Sequence, residues 1–177
     1  MLLFGWIRMR RQPARTRTPM ELINGNQIAK DIIRELTTEV AEFPSHLPKP
    51  EVHFVRVGED PASVSYVRKK QKTAAQIGIT SDIHVLPENA SREALLEKID
   101  ALNRADHVHG ILVQSPLPNG LDEQEAFNRV LPDKDIDGLN VVNTGRIAQE
   151  DPSGFAACTP SGILELLKRS RIDPAGM

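Results

Sequence analysis

The sequence predicts an α/β fold with three layers, in which a mostly parallel sheet has helices on both faces. Two observations support this prediction. Amphipathic helical segments alternate along the chain with short strands rich in β-branched residues, and turns of a few residues join them. Such alternation is typical of βαβ units, whose crossover helices cover a buried parallel sheet. No internal repeat or low-complexity tract suggests another architecture.

The first predicted helix follows Gln27, where apolar residues form one stripe at helical spacing until Pro44 ends the pattern. The first strand is predicted at 52–57, because this segment is β-branched and aromatic and is closed by Gly58 and Pro61. The apolar stripe of the helix consists of Ile28, Ile32, Ile33, Leu36 and Val40.

The later elements follow the same alternation. A final helix is predicted from Pro160 to Arg169, with Thr159 as its N-cap and Pro160 at the favoured first position. Before it, the pattern predicts a helix at 63–77, a strand at 83–86, a helix at 91–103 and a strand at 108–113.

Ligands of such sheets collect beyond the carboxyl ends of the strands. Loops 58–62 and 114–121 follow predicted strands, so we expect the chemistry of the protein in these two loops.

The composition restricts the class of partner. The 177 residues include 22 basic and 24 acidic side chains and carry a net charge of -2, without the positive excess typical of nucleic-acid binding. The longest apolar run, 1–7, is far shorter than the roughly 18 residues that cross a bilayer. The single cysteine, Cys158, cannot form an internal disulfide. We therefore expect a cytoplasmic protein that binds neither nucleic acid nor a membrane.

Residues 1–19 differ from the rest of the chain, because they contain five arginines and no acidic residue. Two interpretations stay open: a transit peptide, which would direct the protein to an organelle, or an upstream extension outside the ordered domain. In both cases we expect the fold to begin near Met20.

Tyr66 and Lys70 are the first candidates for chemistry. Their spacing of four places the ring and the ammonium on one face of the predicted helix. A lysine that acts as a base near neutral pH needs a depressed pKa, which burial or a neighbouring cation provides. The alternative is an ordinary solvated face, since the surrounding residues are also basic.

The string GILVQSPLP at 110–118 is more informative. A buried strand runs directly into the amide of Gln114 and a stiff loop, in which Pro116 and Pro118 fix the backbone and remove two N–H donors. Such a loop presents Gln114 in one conformation at a carboxyl end of the sheet. The alternative is an ordinary edge turn.

Three carboxylates surround Lys134 in the string DKDIDG at 133–138. The string lacks the ligand spacing of a calcium loop, and a loop acid that caps the backbone is one alternative. One carboxylate here can instead accept two parallel N–H bonds from a heterocycle. The five histidines lack the spacing of a zinc site, so we expect no metal.

No two glycines are separated by a single residue, which excludes a GxGxxG loop, and the chain has neither a Walker A string nor a GxSxG elbow. The chain therefore has no recognisable dinucleotide fingerprint. Several other strings occur in a fixed order: Val57–Ser63, Ser65-Tyr66 with Lys70, GILVQSPLP, KDIDG at 134–138, Asn143 with Gly145-Arg146, and CTPSG at 158–162.

In this order the strings resemble the bifunctional methylenetetrahydrofolate dehydrogenase/methenyltetrahydrofolate cyclohydrolase family, from about Leu22 to Arg169. The resemblance implies the interconversion of 5,10-methylene-, 5,10-methenyl- and 10-formyltetrahydrofolate. Folate would bind in a cleft between two α/β domains. The first would supply the catalytic residues, and the second, of Rossmann type, would bind NADP or NAD.

The resemblance also implies residue roles. Lys70 would be the catalytic lysine, buried and held by the amide of Gln114. Tyr66 would stack on the folate and Asp137 would anchor the pterin. The remaining substrate-binding positions would be Val113, Ser115 and Pro116.

Two positions depart from the family pattern. Ser115 stands where leucine is usual, and Ala157 stands where proline commonly precedes the cysteine. Neither change removes a named chemical role, so we expect at most an altered affinity for folate.

The resemblance predicts the organisation of the chain as a leader or spurious extension at 1–19, a folate-binding catalytic domain at 20–155 and a connecting helix at 156–177 that begins the NAD(P) domain. Only eight residues follow Arg169, whereas a βαβ unit needs about 30. We therefore expect a truncated chain that binds tetrahydrofolate derivatives but no dinucleotide and transfers no hydride. The family is homodimeric through contacts largely in the missing half, so a homodimer is not expected here.

The alternative function is a non-catalytic module that binds folate or serves as a heteromeric partner. A simple oligomerisation domain is disfavoured, because it gives no reason for Lys70, Gln114 and Asp137 to occur together.

Overall fold

A computed structural model of the chain describes residues 22–175, so the predicted leader at 1–19 lies outside the described residues. Within them, three strands alternate with helices. The elements are α1 (Gly25–Ala41), β1 (Glu51–Val57), α2 (Pro61–Ile77), β2 (Thr80–Leu86), α3 (Arg92–Arg104), β3 (Gly110–Val113), α4 (Glu123–Arg129), a 3₁₀ turn (Pro132–Lys134), α5 (Val141–Ala148) and α6 (Cys158–Arg169).

The three strands form one parallel sheet in the order β2-β1-β3. Val52 of β1 pairs with Ser81 on one side and with Gly110 on the other. Beyond β3, Ile111 and Asp135 form an isolated parallel bridge that brings the 135–138 loop to the edge of the sheet. The predicted parallel α/β sheet is therefore confirmed.

Helices cover both faces of the sheet, as predicted. Val55 and Ile111 pack under α3 and α4, where Ile99 and Phe127 complete the larger core cluster. On the opposite face, neighbouring strand residues pack against α2 in a second cluster. Side chains alternate between the two faces along β1, and both faces are covered, which is why every residue from 53 to 57 is buried.

Several element boundaries differ from the predictions. α2 begins at Pro61 rather than at residue 63, because Asp60 accepts a 2.7 Å hydrogen bond from the Ser63 N–H and starts the helix earlier. β2 begins at Thr80 rather than at residue 83. The prediction began too late because the first residues of the strand are polar and do not show a strand pattern. β3 begins at Gly110, because the ring Nδ1 of His109, rather than a backbone oxygen, accepts the Glu51 N–H, while the His109 N–H donates to the Glu51 carbonyl oxygen.

The predicted N-cap at Thr159 is wrong. α6 begins at Cys158, and the residue before it, Ala157, provides no side-chain cap. The physical reason is that the Cys158 N–H already has a tertiary acceptor, the carbonyl oxygen of Asp137 at 3.2 Å.

α4 and α5 were not predicted, and each begins at a side-chain cap. Asp122 accepts hydrogen bonds from the first turn of α4, and Asn140 does so for α5. Among the helices of residues 22–175, none combines the length and the hydropathy needed to cross a membrane.

Candidate functional site

The loops that follow β1 and β3 meet at the carboxyl edge of the sheet, where the sequence predicts the site. Gly58 and Asp60 of the first loop line a small cleft together with Pro116 and Pro118 of the second. Gly58 adopts a positive φ of 76° and donates its N–H to the Leu86 carbonyl oxygen at 3.0 Å. This turn redirects the chain from β1 into α2, which carries the candidate lysine.

Lys70 and Gln114 are brought into contact. The Nζ atom of Lys70 lies 3.2 Å from Oε1 of Gln114. The Gln114 backbone N–H is held by the Val55 carbonyl oxygen at 2.8 Å, and its side-chain Nε2 donates to the Ser115 carbonyl oxygen at 2.5 Å. Because the amide nitrogen is engaged by the loop, the amide oxygen is the atom presented to the lysine.

The loop at 115–118 is fixed by a residue that the sequence analysis did not identify. Glu123, at the start of α4, accepts hydrogen bonds at 2.8 Å from both the Ser115 hydroxyl and the Leu117 N–H. Through its hydrogen bond to Glu123, Ser115 contributes a polar contact to the loop at a position where the family pattern has leucine. The Ser115–Pro116 peptide bond is cis. No spacing rule singles out Glu123, since its role depends on a helix that was not predicted.

The three carboxylates of the DKDIDG string have different environments. Asp133 is exposed, Asp137 is half-buried, and only Asp135 is buried. The carboxylate of Asp135 accepts four hydrogen bonds. Three come from the backbone N–H groups of Gly138 (3.0 Å), Leu139 (3.3 Å) and Asn140 (2.9 Å), and the fourth comes from Nδ2 of Asn143 (3.0 Å).

Lys134 in the same string is also structural. Its Nζ donates to the carbonyl oxygens of Leu102 (3.3 Å), Asn103 (2.8 Å) and Ala105 (2.8 Å) at the end of α3. A cation at this end of a helix satisfies otherwise unpaired carbonyl groups. Backbone capping, one alternative from the sequence, thus describes Lys134 and Asp135 but not Asp137.

Asp137 keeps its carboxylate free of these anchoring bonds and faces the start of α6. Next to it, Gly138 has a φ of 71°, and a Cβ at this position would lie 2.6 Å from both the Ala156 carbon and the Ala157 nitrogen. Only glycine permits this approach of the two backbone segments. The approach places Cys158 beside Asp137.

The Cys158 thiol connects the two halves of the site. Sγ donates to the Ile136 carbonyl oxygen at 3.1 Å. Desolvation by neighbouring atoms and the nearby Asp137 carboxylate raise the pKa of the thiol, whereas the Lys70 ammonium opposes them. The charges of Lys70 and Asp137 therefore both act on the Cys158 thiol, a residue that the sequence analysis did not place in the site.

The remaining predicted residues are placed as follows. Tyr66 lies one turn before Lys70 on α2 with its ring 60% exposed, and Pro116 is exposed in the cleft loop. Val113 is buried in the core under α3 and α4, so its side chain supports β3 rather than lining the cleft. Lys70 itself is half-buried, not buried as expected.

The fold and the site define a class: an α/β protein with polar side chains gathered beyond the carboxyl ends of a parallel sheet, as in enzymes that act on small molecules. Residues 23–137 match the family described as "Tetrahydrofolate dehydrogenase/cyclohydrolase, catalytic domain". The chain belongs to this family.

Individual relatives agree with this assignment. The chain is 42% identical over 158 residues to the bifunctional protein FolD of Macrococcus caseolyticus, covering 89% of this chain and 56% of that protein. Among solved structures, the bifunctional enzyme FolD of Campylobacter jejuni superposes with a TM-score of 0.84 at 36% identity, over 86% of this chain and 54% of that one. The methylenetetrahydrofolate dehydrogenase-cyclohydrolase of Trypanosoma brucei, solved with NADP and an inhibitor, gives 0.81 at 35%, over 86% and 52%. The chain spans about half the length of the curated relatives it matches.

Proposed function

We propose that residues 20–155 form a domain that binds a tetrahydrofolate derivative and supplies catalytic residues for the interconversion of 5,10-methylene-, 5,10-methenyl- and 10-formyltetrahydrofolate. The observation that best supports this proposal is the 3.2 Å contact between Lys70 and Gln114 at the edge of the sheet that also carries Asp137. The family assignment supports the substrate class.

Lys70 serves the hydrolytic step. Water adds to the methenyl carbon as the new C–O bond forms, and Lys70 polarises this water or accepts the proton that it loses. As the C=O bond then forms, the hydroxyl group on this carbon loses its proton and the bond from the carbon to N5 breaks. N5 keeps the electron pair and takes up a proton, which leaves the formyl group on N10. Gln114 accepts a hydrogen bond from Nζ and so fixes the position of the base relative to the reacting carbon.

Asp137 and Tyr66 hold the folate. The Asp137 carboxylate has free lone pairs, because the loop N–H groups donate to Asp135 instead. It can accept two parallel N–H bonds from the edge of the pterin, as a carboxylate does from arginine. The exposed ring of Tyr66 offers a flat apolar surface one helical turn from Lys70 for stacking.

The helices that directly follow the strands are poorly suited to hold a dinucleotide. Pyrophosphate binds best at a helix N-terminus with free N–H groups after a glycine-rich turn. Here the helices that follow β1, β2 and β3 begin at Asp60, Ser91 and Asp122, whose side chains already accept from those N–H groups. Two of these caps are carboxylates, which repel phosphate. We therefore propose that this segment alone binds neither NADP nor NAD and transfers no hydride.

A non-catalytic partner module is the second candidate. Apolar side chains are exposed along α5, α6 and the loop between them, including Val141, Phe155, Ile163 and Leu164. An apolar surface of this kind is suited to contact with another polypeptide. The two candidates differ in turnover, since both retain folate binding. We further propose a cytoplasmic location, because the lone Cys158 suits a reducing compartment.

Calorimetric titration of the full chain with 5-formyltetrahydrofolate tests the proposal. We expect saturable binding that Asp137→Ala weakens about 10- to 100-fold, the equivalent of one lost charge-assisted interaction. Asp133→Ala is the matched control, because its carboxylate lies in the same loop but is exposed. Equal binding by both variants, or no binding by a folded chain, contradicts the proposal.

A further inference from the structure

Histidine and carboxylate side chains meet at the amino-terminal end of the sheet, away from the candidate folate site. His53 of β1 and His84 of β2 stack with ring centroids 5.0 Å apart, and Asp82 lies beside them on the same face. Strand pairing produces this cluster, since His53 is opposite Asp82 in the parallel register. The spacing of these residues along the chain does not resemble a zinc site, because residues from separate strands come together only in the sheet.

The distances suit a single ion. Nδ1 of His53 lies 2.8 Å from Nε2 of His84, which lies 3.8 Å from Oδ2 of Asp82. All three ligand atoms lie within 4.8 Å of one another. Two ligands of a tetrahedral zinc ion, each about 2.1 Å from the metal, are separated by roughly 3.4 Å. A small opening of the two rings would therefore admit the ion.

The other nitrogen of His53 has the partner that a metal ligand needs. Nε2 lies 2.9 Å from Oε1 of Glu51. When this carboxylate accepts the Nε2–H of His53, the lone pair of His53 Nδ1 is left directed at His84. The same hydrogen bond raises the basicity of His53 Nδ1, as in carboxylate–histidine–zinc arrangements. His53 is only 5% exposed, so its ring is held in place by the surrounding protein.

We propose that His53 Nδ1, His84 Nε2 and Asp82 bind a divalent transition-metal ion of the zinc type, with Glu51 orienting His53 from behind. Three protein ligands leave one coordination position for water. Two imidazoles and one carboxylate favour zinc over magnesium or calcium, which prefer oxygen ligands alone. Nothing in this proposal depends on folate binding, and the two sites occupy opposite ends of the strands.

The surrounding charges are compatible with the ion. Burial is the main cause that lowers the pKa of His84, and Lys98 of α3 and His53 add to it, while Asp82 opposes them. Metal binding requires the neutral form of each imidazole. Lys98 is a cationic residue near His84, the His107 ring lies edge-on to His53 with centroids 6.0 Å apart, and the cluster also holds the carboxylates of Asp82 and Glu51.

Titration of the full chain with Zn²⁺ alone, followed by calorimetry, tests the site. We expect one ion per chain at neutral pH, unaffected by millimolar Mg²⁺. His84→Gln and Asp82→Asn should each weaken Zn²⁺ binding more than about 10-fold, and Glu51→Gln should weaken it roughly 10- to 100-fold. Asp82 is 64% exposed at its side chain, so Asp82→Asn tests the ligand in a chain that still folds. Co²⁺ should give the intense visible absorption of a tetrahedral site, lost in His84→Gln.

Three variants serve as controls. His46→Gln removes an exposed histidine outside the cluster, and Cys158→Ser removes the lone thiol; both should bind Zn²⁺ like the unchanged chain. His107→Gln tests the other grouping, in which His107 and Glu51 would share an ion with His53. The proposal is overturned if a folded chain binds no Zn²⁺, if His84→Gln and Asp82→Asn bind normally, or if either Cys158→Ser or His107→Gln alone abolishes binding.

Discussion

The Nζ atom of Lys70 lies 3.2 Å from the side-chain oxygen of Gln114, although 44 positions separate the two residues. Lys70 is supplied by the helix after β1 and Gln114 by the end of β3, strands that are neighbours in the sheet. The contact thus depends on the parallel topology, and it is the feature on which the proposed hydrolytic chemistry rests.

Replacing the lysine should abolish turnover but keep ligand binding. Lys70→Met removes the proposed base, so we expect hydrolysis of 5,10-methenyltetrahydrofolate by the full chain to fall about 10²- to 10⁴-fold. Loss of the methenyl absorbance measures the rate, and calorimetry measures folate affinity. Lys69→Met is the control, since Lys69 is an exposed neighbour on the same helix. Equal rates in both variants would exclude Lys70 as the base, and a folded chain without any turnover would favour the non-catalytic module.

Asp135 should matter for stability rather than for ligand binding. Its buried carboxylate accepts four hydrogen bonds, and Asp135→Asn replaces one acceptor oxygen by a donor that faces N–H groups. We expect the free energy of unfolding to fall by about 2–4 kcal/mol. Urea denaturation measures this loss, with Asp133→Asn as the exposed control in the same loop. A loss no greater than that of the control would contradict the anchoring role.

Gly138 and Gly120 form a matched pair of glycines with positive φ. Both substitutions to alanine carry the backbone cost of the left-handed region, about 1–2 kcal/mol. Gly138→Ala should cost a further ~1–3 kcal/mol, because its Cβ would meet the Ala156 backbone at 2.6 Å, whereas no atom lies within 4 Å of a Cβ at Gly120. Chemical denaturation of the two variants isolates the packing contribution. Identical losses would show that the 156–157 segment does not pack against Gly138.

The Cys158 thiol reports the charges of the candidate site. Only the thiolate reacts with iodoacetamide, and the raised pKa lowers the thiolate fraction at neutral pH below that of free cysteine. Asp137→Asn removes a negative charge, so it should lower this pKa and speed alkylation. Lys70→Met removes a positive charge and should slow it. Mass spectrometry of the alkylation rate against pH measures the pKa of Cys158 in both variants. Unchanged rates would show that the charges of Asp137 and Lys70 do not act on the thiol.

The sheet and its covering helices could be predicted from the sequence, because each of these elements contains enough apolar residues to show a regular spacing. α4 and α5 escaped prediction, since seven or eight residues span only two turns and too few apolar positions define a stripe. Thr159 looked like a helix cap, but the acceptor for the Cys158 N–H comes from residue 137, which no local pattern reveals.

The candidate site follows the same division. The resemblance pointed to Lys70 and Gln114, and the fold brings them into contact. Local sequence rules could not separate Asp135 from Asp137, because both are aspartates in one short loop and differ only in tertiary hydrogen bonds. The histidine cluster was likewise invisible, since its members belong to different strands.

Asp135 and Asp137 lie two positions apart in one short loop, and we expect a different selective pressure on each of them. Substitutions at Asp135 remove anchoring hydrogen bonds of the loop, whereas substitutions at Asp137 leave these bonds intact and would act on the proposed folate contact. A lineage that changed its preferred ligand could therefore vary position 137 freely while position 135 stayed fixed. The residue proposed to contact the ligand can thus change while the hydrogen bonds that hold the loop are kept.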